Sequence, residues 1–379
     1  MQILTQTPPT LTNTATGGAN YHFEISRNPI STAERAIFQT DLQQLGLDDT
    51  AWDILNRTLE TGTRDSLPQV LRVYDRHRLI GVAFFVECRR VAKHLLPQRW
   101  LGNILDLIPI PMFFWVRYTS LVDATGNPGF VAPGIDREEF AAAAIAYLRT
   151  VYLYGGVIDE VNPHRTASEL TFTFCDAGII DLADTIDLES WLTEHKNLKR
   201  KINKFKNKNG TIEILRGAMP PEVANFATRL LNSVDGLICA PFQDNYTNMA
   251  IGVCTLPSDR LVHILAKLDN RLVGYQSFVV SDRTLYCLSG VFDRTYHTTY
   301  HAYENIILKS IEFALDRGLD KIEYGIILNP TKAKMMNAYR PCAQHYYYRW
   351  SWMKAIFAGF IPLTRLAPKT FIPYANLAL

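Results

Sequence analysis

Leu285 to Gly325 reads LYCLSGVFDRTYHTTYHAYENIILKSIEFALDRGLDKIEYG, and this stretch decides the fold. Arg283 to Phe292 is an apolar, aromatic run of strand character. Thr299 to Arg317 follows with helical character and stops at Gly318. Ile322 to Ile327 is again a strand. Just upstream, Leu261 to Asp269 and Arg271 to Ser281 read as a hairpin turning at Asp269-Asn270. Pro220 to Val234 is a helix before that hairpin, and Thr211 to Leu215 a strand before the helix. The order is helix, hairpin, strand, long helix, strand.

The same order occurs earlier in the chain. Ser31 to Leu59 reads as helix. Leu67 to Tyr74 and Leu79 to Arg89 read as a hairpin turning at Asp75-Arg76-His77-Arg78. A strand is expected near Phe113 to Val122, then a loop from Asp123 to Pro133. Asp136 caps a helix from Arg137 to Tyr154, with Gly155-Gly156 as its stop. Strands near Val157 to Val161 and Glu169 to Cys175 close the unit. Residue identity between the halves is low, but the shared pattern predicts a duplication. The expected class is α/β (α+β), with tandem lobes that are each a mixed, mostly antiparallel sheet flanked by helices. The expected divisions are a disordered, polar lead over 1–20, a first lobe over 21–185, a basic connecting helix over 186–210 and a second lobe over 211–379.

The connector holds Lys196 to Lys208, KNLKRKINKFKNK, with seven basic residues and no acid. Leu198, Ile202 and Phe205 share one helical face, so the helix is amphipathic and basic. It reads either as a solvated face or as a dock for an anionic carrier.

Bulk composition narrows the classes. The chain has 379 residues, 47% of them hydrophobic, enough for one large core or two ordinary ones. Net charge is +2 from 39 basic and 37 acidic residues, so no global field points to DNA. The six cysteines form no CxxC, consistent with reduced thiols and a cytoplasmic location. The start of the chain lacks the basic and apolar segments of a signal peptide. Leu101 to Val116, LGNILDLIPIPMFFWV, is the most apolar run, interrupted by Pro109 and Pro111 and too short for a bilayer span. It reads as buried loop and strand, or as the lining of a long-chain pocket. The tail from Trp350 to Leu379 reads as packed on the second lobe, as a cover for an apolar site, or as a membrane contact.

With these segments in place, the chain resembles the Fem-type and CelD-like acyltransferases of the GNAT superfamily. The resemblance lies in the basic helix with Gly210 after it, the hairpin LAKLDNRLVGYQSF (Leu265 to Phe278), Leu288 to Asp293, Tyr303 to Gly318, and Glu323-Tyr324-Gly325. It covers about residues 185 to 352, and the first half loosely. It implies two parallel strands splayed apart, with the donor's pantetheine arm in the gap and the thioester meeting an amine there. Backbone N–H groups of Leu288, Ser289, Gly290 and Val291 would then polarise the donor carbonyl. Lys332, with Lys334, falls where the family often has a lysine before its last strands, here Tyr346 to Trp352. One departure is plain. The glycine-rich pyrophosphate loop is replaced by DRTYHTTYHA, Asp293 to Ala302. That shifts the expected donor from free acetyl-CoA toward a larger acyl-CoA, an acyl-carrier-protein thioester or aminoacyl-tRNA.

Several residues at this place carry two readings each. His297 is a general base or an exposed capping histidine. His297 and His301 share a helical face, but a metal would need a third ligand, and none is expected. Tyr303 is an acid for the leaving thiolate or a core tyrosine. Glu304 is catalytic or simply favours the helix N-terminus. Asp293 orients His297 or caps the helix. Glu323 and Tyr324 alternate on a strand, so at most one faces the cleft. Asp244, in DGLICAPFQDNYTN (Asp235 to Asn248), binds the acceptor's cationic group or lies in a plain surface loop. Cys287 reads as a buried thiol.

The function expected from the resemblance is transfer of an acyl group, of fatty length, from a CoA or carrier-protein thioester to a primary amine on a small molecule or peptide. No permanently bound cofactor is expected. An aminoacyl-tRNA-dependent transferase and a non-catalytic binding scaffold are the alternatives.

Overall fold

The computed structural model describes residues 21–63, 66–89, 107, 111–117, 129–160, 170–185, 187–194, 196–233, 251–293, 296, 299–326, 335–350 and 352. The first lobe contains β1 (Tyr21–Ser26), α1 (Thr32–Ile37), α2 (Gln39–Gln44), α3 (Thr50–Glu60), β2 (Ser66–Asp75), β3 (Arg78–Cys88), β4 (Met112–Val116), β5 (Gly129–Val131), α4 (Arg137–Val151), β6 (Tyr154–Glu160) and β7 (Leu170–Asp181). Next come α5 (Leu188–Glu194), α6 (Lys196–Lys206), β8 (Gly210–Arg216), α7 (Pro221–Ser233), β9 (Leu261–Leu268), β10 (Arg271–Ser281), β11 (Thr284–Phe292), α8 (Ala302–Asp316), β12 (Lys321–Ile326) and β13 (Ala338–Tyr348).

The expected hairpins are present, and both turn residues Asp269 and Asn270 have positive φ, 47° and 65°, as a two-residue hairpin turn needs. The helix expected over Ser31 to Leu59 is three short helices. Ser31 and Glu34 form a capping box at α1. Phe38 breaks the run at φ −100° and ψ 6°, and Gly46 breaks it again at φ +67°. Gly155 and Gly156 do not end α4; they belong to β6. α4 stops earlier, at Val151. A Cβ on Gly155 would lie 2.1 Å from the Phe113 ring, so this position is glycine because an aromatic ring lies flat on the strand. Gly155→Ala is expected to cost about 1–3 kcal/mol by overpacking, read from the denaturant midpoint. The last strand begins at Ala338 rather than near Tyr346, and Trp350 and Trp352 stack beyond its end.

Strand order is β1-β2-β3-β4-β6-β13-β7-β12-β11-β10-β9-β8, with β5 also on β3. The two lobe sheets therefore run together as one, and they exchange their last strands. β7 follows β6 in sequence but pairs with β12 of the second lobe. β13 follows β12 but lies between β6 and β7. The core is shared as well. One buried cluster joins Trp52 and Phe130 to Ile264, Phe278 and Ile306. A second cluster fills the space between α4 and the first-lobe sheet, with Phe85, Trp115, Phe140 and Leu148.

Candidate active site

β11 and β12 are parallel for three rungs, Thr284↔Lys321, Leu285↔Ile322 and Tyr286↔Glu323. Beyond Tyr286 they part. Each strand has an irregularity at this level. β11 skips Leu288 in its register with β10, and β12 skips Tyr324 in its register with β7, with Gly325 at φ +64°. Bulges bend the strand that carries them, so two at one level drive the pair apart. β11 continues to Phe292 on β10, and β12 continues to Ile326 on β7, leaving a gap between them.

Backbone alternation tells which groups of β11 face the gap. Asp293 donates its N–H to Val273 O at 2.9 Å, toward β10. Val291 points the same way, so the peptide groups of Gly290 and Phe292 point into the gap. Among the four residues expected to line the donor, Leu288, Ser289, Gly290 and Val291, Gly290 thus has the best placed N–H. The Ser289 side chain is committed elsewhere, to the Tyr275 hydroxyl at 2.7 Å.

The two faces of the sheet differ at the vertex. Tyr324 lies on the α8 side: its hydroxyl is 2.6 Å from Ser310 Oγ, and Phe278 meets its ring edge-on. Burial raises its pKa well above the ordinary tyrosine value. Glu323, its neighbour, therefore points to the opposite face. It has no solvent exposure, and Arg340 of β13 lies 3.1 Å from its carboxylate. Tyr286, its rung partner, is also buried; burial first and the Glu323 charge second raise its pKa. Farther across the sheet His263 is wholly buried between Ser277 Oγ and Gly217 O, both at 2.8 Å. Burial depresses its pKa, which keeps the ring neutral at pH 7.

At the open end of the gap stands the start of α8. His301 precedes it at φ 60° with no side-chain cap, so Asp293 does not cap this helix. Tyr303 is buried and meets Phe292 edge-on, ring centroids 4.8 Å apart. Burial raises its pKa well above the ordinary value. Glu304 is 4% exposed; Lys201 of α6 donates to its Oε1 at 2.8 Å, and His301 Nδ1 is 3.3 Å away. Burial pushes the Glu304 carboxyl up. Hydrogen bonds from Lys201 and from its own backbone N–H, with the Lys201 charge, outweigh this and leave it below the ordinary carboxylate value.

Of the expected residues, Leu288 to Val291 lie on β11 with Asp293 just after it, Glu323 and Tyr324 on β12, and Tyr303 and Glu304 in the first turn of α8. His297, Lys332 and Asp244 lie outside the described residues. Lys201, Tyr286 and Arg340 had no signal of their own in the sequence. Lys201 was one of seven basic residues on a connector, and Arg340 precedes a proline. Among the described residues no group of His, Cys, Asp and Glu could hold a metal ion. No helix among them is long and apolar enough to cross a membrane.

The corresponding place in the first lobe is different. β4 and β6 pair in parallel over all five residues of β4. The gap-side N–H of Val131 on β5 is taken by Asp41 Oδ2 at 2.9 Å, and Arg137 pairs with the same carboxylate. These residues line a cavity of about 250 Å³ together with Thr40 and Gln44. The chain's own carboxylate thus takes a strand-edge N–H here.

Residues 194–333 match the family model described as acetyltransferase (GNAT) domain. Over these residues the chain is similar to a GNAT acetyltransferase domain. No curated protein matches the sequence. Among solved structures, L-PGS from Bacillus licheniformis is similar over 90% of this chain and 98% of its own, with TM-score 0.51 and 10% identity. A tandem GNAT protein from the clavulanic acid biosynthesis pathway is similar over 87% and 99%, with TM-score 0.48 and 12% identity. At 10% identity the likeness to L-PGS is one of fold.

Proposed function

We propose that the chain transfers an acyl group from a thioester to a primary amine in the gap between β11 and β12. The observation that carries this reading is the end of parallel pairing at Tyr286 and Glu323, which leaves the N–H of Gly290 facing an unpaired edge. A thioester arm extended along β11 would accept that N–H, and the carbonyl would polarise there. The amine approaches from the other face of the sheet. Glu323 at the vertex, with Arg340 3.1 Å away, supplies the negative charge that holds an ammonium. After loss of a proton, the nitrogen lone pair attacks the carbonyl carbon. A C–N bond forms, the C–S bond breaks, and the sulfur leaves as thiolate to be protonated. His297 remains the residue proposed to take the amine's proton, since an imidazole titrates near neutrality. Tyr303 is poorly suited to protonate the thiolate: burial makes it a weaker acid than a free tyrosine, and it packs on Phe292.

Most of the apolar run proposed to line a fatty-acyl pocket, residues 101–106 and 108–110, lies outside the described residues. Met112 to Trp115 are core residues of β4. A panel of acyl-thioesters of graded chain length, each offered with small amines and a lysine peptide, tests the reading by mass. An acyl-sized mass gain on an amine is the expected result, and silence across every donor and acceptor removes the proposal. A second reading, aminoacyl-tRNA as donor, has the exposed Lys199, Arg200 and Lys204 of α6 in its favour. Transfer that requires tRNA would select it.

A further inference from the structure

The N-terminus of α8 ought to attract anions. A helix of this length presents unsatisfied N–H groups and a partial positive charge at its start. It also stands at the end of the sheet where β11 and β12 separate, so an anionic group attached to an arm in the gap would reach it. The chain places its own carboxylate there. Glu304, in the first turn, bonds its own backbone N–H. Its Oε1 is gripped by Lys201 from α6 and faces His301. Its Oε2 is buried and has no hydrogen-bond partner in the protein. A buried carboxylate oxygen without a donor is costly, typically about 1–3 kcal/mol or more for a charged group. Core packing alone would be served by an apolar residue, so something specific to the charge accounts for this arrangement.

We propose that Glu304 is a donor-selecting residue: its carboxylate occupies the helix N-terminus and takes up the Lys201 cation, which bars the pyrophosphate of a nucleotide thioester such as CoA, so that the acyl group arrives on a carrier protein whose arm has no pyrophosphate. The proposal rests on the acyl-transfer reading of the gap. Two features converge on it. The loop from Asp293 to Ala302 has no glycine through which a pyrophosphate could approach the backbone closely. Lys201, the cation that reaches this helix start among the described residues, is already paired with Glu304. Arg200, Lys204 and Lys206 of α6 are exposed and available to an acidic carrier surface.

The test compares two probes that share the same arm, CoA and pantetheine, by calorimetric binding to the full chain, without any chemistry. In the native chain CoA is expected to bind no more tightly than pantetheine. Glu304→Gln keeps the shape and the contact with Lys201 but removes the charge. It is expected to tighten CoA binding by about tenfold or more and leave pantetheine unchanged. Should that variant fail to fold, Lys201→Gln leaves the Glu304 charge less compensated and is expected to weaken CoA against pantetheine. An unchanged CoA-to-pantetheine ratio in whichever variant folds overturns the proposal. Binding is measured apart from turnover, so failure of the acyl-transfer reading would appear separately, as absence of acylated amine with carrier-borne thioesters.

Discussion

Glu323→Gln is expected to lower kcat/KM for the amine acceptor by about a hundredfold or more while leaving donor KM near its native value. The reasoning starts from position. Glu323 stands on the last rung before the strands separate, on the face opposite α8, with its carboxylate 3.1 Å from Arg340. An arm lying along β11 brings its thioester to the vertex, and the amine must come to the same point. Glutamine keeps the shape and loses the charge that an ammonium needs. The split between acceptor and donor KM separates this role from a purely structural one, which would lower stability and affect both substrates together. Arg340→Met is the companion variant. It takes away the guanidinium beside a carboxylate that has no solvent exposure, and should cost about 3–5 kcal/mol in urea unfolding. Combining it with Glu323→Gln should restore part of that loss, because no buried charge is then left behind. Native acceptor kinetics in Glu323→Gln would reduce the pair to a structural ion bridge.

The second large effect concerns the lobes themselves. Residues 1–209 and 210–379, produced separately, are each expected to show no cooperative unfolding transition and to bind hydrophobic dyes. β13 pairs with β6 from Cys342↔Glu160 to Tyr348↔Tyr154, and with β7 from Ala338↔Ile179 to Tyr346↔Leu170. Without it, β6 and β7 face an empty slot rather than each other. The second half alone loses β7, the strand on which β12 lies. The core is divided too, since Trp52 and Phe130 belong to the same cluster as Ile264 and Phe278. Co-production of the two halves should restore a folded complex by supplying both exchanged strands. A cooperative, dye-free first half on its own would show that the exchange is not needed for folding.

Much of this architecture was legible in the sequence where local periodicity is strong. The hairpins, the α4 and α8 helices and the strand-to-helix passage at Leu285 to Gly325 follow from alternation, caps and stops. What was not legible depends on partners far along the chain. Gly155-Gly156 looks like a helix stop until Phe113 is found lying on it. The early part of β13 contains Pro341, which argues against a central strand, and at that residue β13 pairs with β7 alone, β6 joining from Cys342 onward. At the site, the sequence located the gap but not its two faces. The bond from Tyr324 to Ser310 settles which way Glu323 points, and that contact spans the helix in between. Arg340 reaches Glu323 from the exchanged strand, and Lys201 reaches Glu304 from the connector. No short-range pattern contains either pair.

The exchanged strands also set a timetable for the growing chain. β6 and β7 are complete once Asp181 has been made, but the strand that belongs between them starts at Ala338. At typical synthesis rates of about 5–20 residues per second, the slot stays open for roughly ten to thirty seconds on the ribosome. During that time two strand edges of the first lobe are exposed, and β7 has no neighbour until β12 emerges. The first half of this protein is thus translated first and finished last.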